Sequence, residues 1–419
     1  MNHNNRSSVS NQSTNYPLID NSQQYMFEQK FVSIHSEDRD ITKYPNSAEF
    51  DIEMPQEYSN VQGIKLSTWT FPANASVFTS RNNNVKMSFK ITNPYNPGEY
   101  GNTDPLLNII FVALYANCNK EYVIIIEEGS YTQEQMATEL TNKFNEVVTD
   151  VIRDYIIENG TDELLSEFNV TGYDQFVIVV NSVSNTLWFG NKSSQFELTN
   201  HSLIYSIFAQ QQQPQCGRTK QQQYTTEWGL PSYLGFTQEP VCTTHSHVGV
   251  YPRFYYGDAL TPGDKGYWLK PDSIYIGAAV YYLEAPYKMK ILGPPYFYME
   301  LDGFNYLDEM LPYVNSKFTR ETNETNGTIN AAFAKISTVA PNTNDWTYNN
   351  SNDVSAIKIF NPPADRIKKL RIKIRNHNGL LVDFGKGDYS FTLEFTIFKP
   401  QIQKKFNMYA PEAVKYSNS

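Results

Sequence analysis

Cysteine is nearly missing from this chain. Cys118, Cys216 and Cys242 are three in 419 residues, odd in number and far apart, so no disulfide framework can staple the fold. No apolar run approaches the roughly 20 residues that span a bilayer, and no charged, apolar, small-residue leader opens the sequence. The expectation is a chain made and kept in a reducing, cytosol-like compartment. Positive charge is also short. A formal net charge of −10 excludes a general nucleic-acid binder, because neutralising phosphates takes an excess of Lys and Arg.

Catalytic sets are missing too. There is no Gly-x-Ser-x-Gly elbow and no Cys–His pairing at a usable spacing, and Gly257 to Gly266 lacks the phosphate-loop pattern. Cys242-Thr-Thr-His245-Ser-His247 has metal-ligating residue types, but a structural zinc site draws its four ligands from two such clusters and no second one exists. Glu37-Asp38-Arg39-Asp40 could serve acid–base chemistry; it reads better as a solvated turn whose Arg39 pairs internally. No enzymatic activity, cofactor or metal is expected.

What the chain has is aromatic alternation. Aromatics are 14% of it, with 30 tyrosines, which favours β-structure and broad protein contacts. Residues 1–26 are mostly Asn, Ser, Gln and Thr and cannot offset their ordering entropy, so a flexible arm is expected there. Phe31 to Ile34 begins the strands. Phe50, Ile52 and Met54 alternate with Asp51 and Glu53 until Pro55; Val61 to Phe71 follows, with Ile64, Leu66 and Thr68 inward. The apolar runs Ile109–Tyr115 and Tyr122–Ile126 read as buried strands. Thr132 with Gln135 matches a capping box, and Met136, Leu140, Phe144, Val147 and Val151 share one helical face. Phe176–Val180 and Thr186–Phe189 form a hairpin pattern. The Gln210–Gln223 stretch and much of Trp228–Gly266 read as loop, and Tyr296–Leu301 and Ala331–Ile336 as strands.

The most regular stretch comes last. Leu370, Ile372 and Ile374 alternate with Arg371, Lys373 and Arg375; Phe391, Leu393, Phe395 and Ile397 alternate with Thr392, Glu394 and Thr396. The two read as a long hairpin that must lay its apolar face on another sheet. Arg366, Lys368, Lys369, Arg371, Lys373 and Arg375 place six cations in ten residues. They form either a charged edge strand that resists aggregation or a stripe that docks on an acidic neighbour. Both readings leave Arg371, Lys373 and Arg375 outward and of little weight in folding.

The segments Ile34-His35-Ser36-Glu37-Asp38-Arg39-Asp40, Tyr44-Pro45-Asn46, Phe50-Asp51-Ile52 and Ile64-Lys65-Leu66 resemble minor capsid proteins of nucleocytoplasmic large DNA viruses. That family tends to open with a strand, a Ser-x-Asp-Arg-Asp turn and then Tyr-Pro-Asn. Tyr122–Ile126 with Glu128 to Thr132, Leu234-Gly235-Phe236, Tyr296–Asp302 and the stretch from Pro363 through Asp383-Phe384 to Phe395 are similar as well. His35 and Glu37 depart from the acidic residue and arginine that relatives often carry there.

The resemblance implies a mainly β, jelly-roll sandwich over residues 27–400, with a helical and loop insertion at about 130–270 and a C-terminal extension from 401 to 419. It implies a structural minor capsid protein assembled in host cytoplasm and bound beneath or between major capsomers. Its partners would be the major capsid protein and other minor capsid proteins, near an inner membrane, with no direct nucleic acid. The alternatives are a penton-type vertex protein, two tandem sandwiches in place of one, or a carbohydrate- or receptor-binding sandwich.

Overall fold

The computed structural model describes residues 27–73, 76–205, 228–246, 251–255, 267–308, 331–338, 346–348, 356–377 and 379–399. The expected arm at 1–26, the C-terminal extension, Cys216 with its Gln-rich loop, and His247 lie outside them. Among the described residues no helix is long and apolar enough to cross a membrane.

The chain opens with β1 (Phe27–His35) and β2 (Glu49–Pro72). There follow β3 (Lys86–Asn93), α1 (Pro105–Ala116), β4 (Tyr122–Ile125), α2 (Gln133–Asn159) and α3 (Asp162–Thr171). Next come β5 (Phe176–Asn181), β6 (Thr186–Asn191), β7 (Gln195–Leu198) and the one-turn helix α4 (Leu230–Tyr233). Short strands β8 (Val241–Cys242), β9 (Thr244–Ser246), β10 (Arg253–Tyr255), β11 (Tyr267–Trp268) and β12 (Val280–Glu284) lead to β13 (Tyr296–Leu301). The remainder is β14 (Leu307–Asp308), β15 (Ala331–Ala332), β16 (Ala334–Ser337), β17 (Trp346–Tyr348), β18 (Ile357–Arg375) and β19 (Ser390–Phe398). Contacts divide the chain into two units: residues 74–293 with 340–344 form one, and the segments on either side form the other. The fold is mainly β, built of antiparallel sheets with a helical insertion.

The flanking unit is one antiparallel sheet in the order β1-β19-β2-β18-β13-β16, with β17 also on β2. The final two strands are therefore not a hairpin. β2 lies between β18 and β19 and hydrogen-bonds to both, so the strands that alternate most clearly are joined through one from the opposite end of the chain.

β2 also explains how a single sheet makes a sandwich. Phe50 and Phe71 would stand roughly 70 Å apart on a straight strand. Both touch the Tyr389 ring, with centroids at 6.3 and 4.6 Å. The strand bends back across its own core near Asn60, a non-glycine residue in left-handed backbone at φ 54°. Pro55 does not end the strand. Register shifts at Ile359/Ala364 and Ile367/Lys369 in β18, and at Thr396/Ile397 in β19, mark bulges that sharpen the curl. A further shift at Thr392/Leu393 leaves Ser67 as the extra residue, so Trp69 takes the inward place expected of Thr68. Between the layers Phe71 packs on Phe297 and Phe384 at 4.8 and 5.9 Å, and Tyr58 stacks on Phe395 at 5.0 Å.

The inserted unit packs two four-stranded sheets, β4-β3-β7-β8 and β5-β6-β12-β9. α2 carries the expected capping box: Thr132 Oγ1 accepts from the Gln135 N–H, and Gln135 Oε1 accepts from the Thr132 N–H. Its fully buried stripe is Met136, Leu140, Phe144, Val148, Ile152 and Ile156, with Val147 and Val151 at its margin. Phe144 lies between the sheets, 4.3 Å from Phe89 of β3 and 5.2 Å from Phe176 of β5. Ile109–Tyr115 lies in a helix and not in a strand. Asp104 caps it, accepting from the Leu106 and Leu107 N–H groups, and Pro105 takes the first-turn place where its missing N–H costs nothing.

Candidate interaction face

On β18 the apolar alternation turns Leu370, Ile372 and Ile374 into the core, which sends the intervening cations to the opposite face. Acids from both neighbouring strands meet them there. Arg366 Nε lies 2.7 Å from Glu57 Oε1, and Lys369 Nζ lies 2.6 Å from Asp51 Oδ2. Arg371 spans Glu49 at 3.0 Å and Asp51 at 3.8 Å, while Lys373 reaches Glu49 at 3.7 Å. Arg375 bonds Glu300 of β13 at 3.2 Å and donates to the Gly379 carbonyl at 2.7 Å. Lys368 sits exposed at the register shift beside Ile367.

The result is a ladder of alternating charge. β13 pairs with β18 over Ile372–Arg375 only, so the edge-protection reading fails for Lys373 and Arg375, while from Ile357 to Leu370 β2 is the ladder partner of β18 among the described residues. The ladder is also graded in depth. Arg366 is 72% exposed at its side chain, whereas Arg375 is 15% and Glu300 11%. Arg375 thus does not point into water as the alternation suggested. It compensates a buried carboxylate whose second oxygen has no hydrogen-bond partner among the described residues.

The two best-buried acids of the ladder respond in opposite directions. Burial raises the Asp51 carboxyl, but hydrogen bonds from Lys369 and Tyr44 and the Lys369 charge outweigh it and leave the group below its ordinary value. At Glu300 burial dominates, and the carboxyl stays above its ordinary value despite the charge and hydrogen bond of Arg375.

The motif turn after β1 is built as a latch. Arg39 donates to Asp388 Oδ1 at 2.7 Å, to the Ser36 carbonyl at 2.6 Å and to the Tyr44 carbonyl at 3.2 Å. The fully buried Ser36 donates to the same Asp388 oxygen at 2.9 Å and accepts the Tyr389 N–H, while the Tyr389 hydroxyl donates to the Ser47 carbonyl at 2.8 Å. Asp40 and Asn46 cap the tight turns between, each accepting backbone N–H groups. Arg39 does pair inside the protein: its carboxylate partner lies 349 positions away, and it also holds two carbonyls of its own turn.

No protein-family model matches the sequence, and no curated protein matches it. Among solved structures the chain is similar to the mavirus penton protein, with a TM-score of 0.34 and 8% identity over 88% of this chain and 98% of that one. It is also similar to a chain of the Sputnik virophage, with a TM-score of 0.35 and 10% identity over 89% and 98%.

The remaining sequence candidates scatter. Cys242 lies on β8 and gives its thiol to Glu197 at 3.4 Å, with burial, then Glu197, pushing the thiol up; His245 is on β9 in the other sheet. Among the described residues no three His, Cys, Asp or Glu side chains converge as a metal site. Sequence reasoning missed how α2 docks. Thr141 Oγ1 accepts the Ile178 N–H at 3.0 Å, and Asn145 both accepts the Phe176 N–H and donates to its carbonyl at 2.9 Å. The helix so satisfies the open edge of β5. Two polar residues on the β5 side of an amphipathic helix were the available signal.

Proposed function

We propose that this chain is a structural minor capsid protein that binds beneath or between major capsomers and stabilises an icosahedral shell. One observation carries the reading: several of the motifs behind the resemblance, far apart in sequence, gather into one framework. Ser36 to Asn46 latches Asp388 and Tyr389; Phe50 to Ile52 and Ile64 to Leu66 share strand β2; and Tyr296 to Asp302 and Ile372 pack alongside them. The residues that mark the family-like pattern hold a shape, as a building block requires, and do not converge on a reacting centre. On this reading Arg366, Lys368, Lys369 and Arg371, the exposed part of the ladder, contact an acidic capsid neighbour, while Lys373 and Arg375 serve the sheet itself.

The test is fractionation of purified particles after detergent and nuclease treatment, with the chain followed by mass spectrometry. Retention with the stripped shell is the expected outcome. Release with lipid or with nucleic acid would overturn the reading.

A further inference from the structure

The inserted unit holds a cavity of about 170 Å³ whose wall alternates rings with hydrogen-bonding groups: Asn93, Asn96, Glu99, Tyr100, Tyr115 and Tyr281 all line it. Tyr100 and Tyr115 are 48% and 66% exposed, an unusual amount of ring to leave in water beside a concavity. Tyr100 is also held in place. Its ring lies within 4° of parallel to that of buried Tyr95 at 5.8 Å, and it packs so closely on Gly277 that a Cβ there would come 2.2 Å from the ring. Tyr95 is fixed in turn by its hydroxyl, which donates to the Ile276 carbonyl at 2.8 Å, and by its N–H, which donates to Ser194 Oγ at 3.1 Å. Asn96 holds the turn that presents these groups, accepting the Gly98 N–H and donating to Glu99 Oε1 at 3.3 Å. An aromatic platform that is rigid before binding loses little freedom when a ligand settles on it.

We propose that this cavity binds the pyranose ring of a neutral sugar. A pyranose presents a face of C–H groups, which suits the electron-rich faces of Tyr100 and Tyr115, and a rim of hydroxyls, which suits the amides of Asn93 and Asn96 and the carboxylate of Glu99. Among the described residues Glu99 is the sole ionisable carboxylate on the wall and no cation accompanies it, so an acidic sugar or a phosphate meets repulsion there. A quaternary ammonium also favours aromatic walls, but it gives the two amides nothing to bond. The site is independent of the charged ladder and of the capsid reading.

Saturation-transfer NMR on the full-length chain tests it. The probes are the methyl glycosides of glucose, galactose, mannose and N-acetylglucosamine, with N-acetylneuraminic acid and tetramethylammonium as contrasts. At least one neutral glycoside should receive saturation at its ring C–H protons. Tyr115→Ala and Asn93→Ala, both at exposed positions, should each weaken its Kd by about tenfold with melting unchanged. The proposal is overturned if no neutral glycoside receives saturation, if either contrast probe binds in their place, or if both variants bind the sugar as tightly as the natural protein.

Discussion

At the scale of single residues, burial and pairing decide which side chains matter. Phe391 and Phe395 are 1% and 0% exposed, and Phe395 stacks on Tyr58. Phe395→Ala should destabilise the flanking unit by about 3–5 kcal/mol in chemical denaturation, the range for emptying an aromatic site. Asp51 makes a pH-dependent contribution of opposite character. Its carboxyl sits lower in the folded state than in the unfolded chain, so its stabilisation is present above the ordinary aspartate pKa of about 3.9 and is lost as pH falls through the depressed folded value. Asp51→Asn should therefore melt below the natural protein at neutral pH, and the gap should close on acidification. A gap that stays constant down to the acid limit would show that Asp51 acts through packing alone. Alternation along the chain assigned the inward side of Leu370, Ile372, Ile374, Phe391, Leu393 and Phe395 correctly. It could not show that Glu49, Asp51 and Glu300 cover the cations between them, because period 2 assigns a face and says nothing about what a distant strand places over it.

At the scale of elements, the legible parts were those whose signals are local. The α2 capping box is complete within four residues, and the β5–β6 hairpin turns on Asn181 and on Asn185 at positive φ, both visible as turn residues. Thr132→Ala should cost about 1 kcal/mol of stability, measurable as earlier denaturation of the inserted unit, while Thr132→Ser should restore it. A loss of equal size in both variants would point to the methyl group and not to the cap. Illegible parts depended on partners. The run Ile109–Tyr115 is apolar on nearly all sides, so no period separates a buried helix from a buried strand, and the decisive residues, Asp104 and Pro105, lie outside the run. The hairpin expectation failed for a similar reason. Two amphipathic strands close in sequence are natural partners until a third with matching edges, here β2, inserts between them.

At the scale of the whole molecule, β2 turns a single sheet into a sandwich, and the latch ties the turn after β1 to the start of β19. The outer face that remains is a charged ladder, and the capsid reading gives its exposed end a partner. Arg366, Lys369 and Arg371 should be changed to Gln and not to Glu, because acidic replacements would repel Glu57, Asp51 and Glu49 and confuse contact with folding. Exposed ion pairs are worth about 1 kcal/mol or less each, so the triple Gln variant should fold with a modestly lowered Tm and yet fail to join assembling particles. Normal incorporation would confine the ladder to a role within the sheet. The most direct test of the structural claim is a cryo-EM reconstruction of the assembled particle at a resolution that separates strands. The account predicts density for the curled sheet, with β2 between β18 and β19, beneath or between major capsomers away from the vertices. A closed five-fold ring of this chain at the vertices, or a shell that lacks it, would contradict the account.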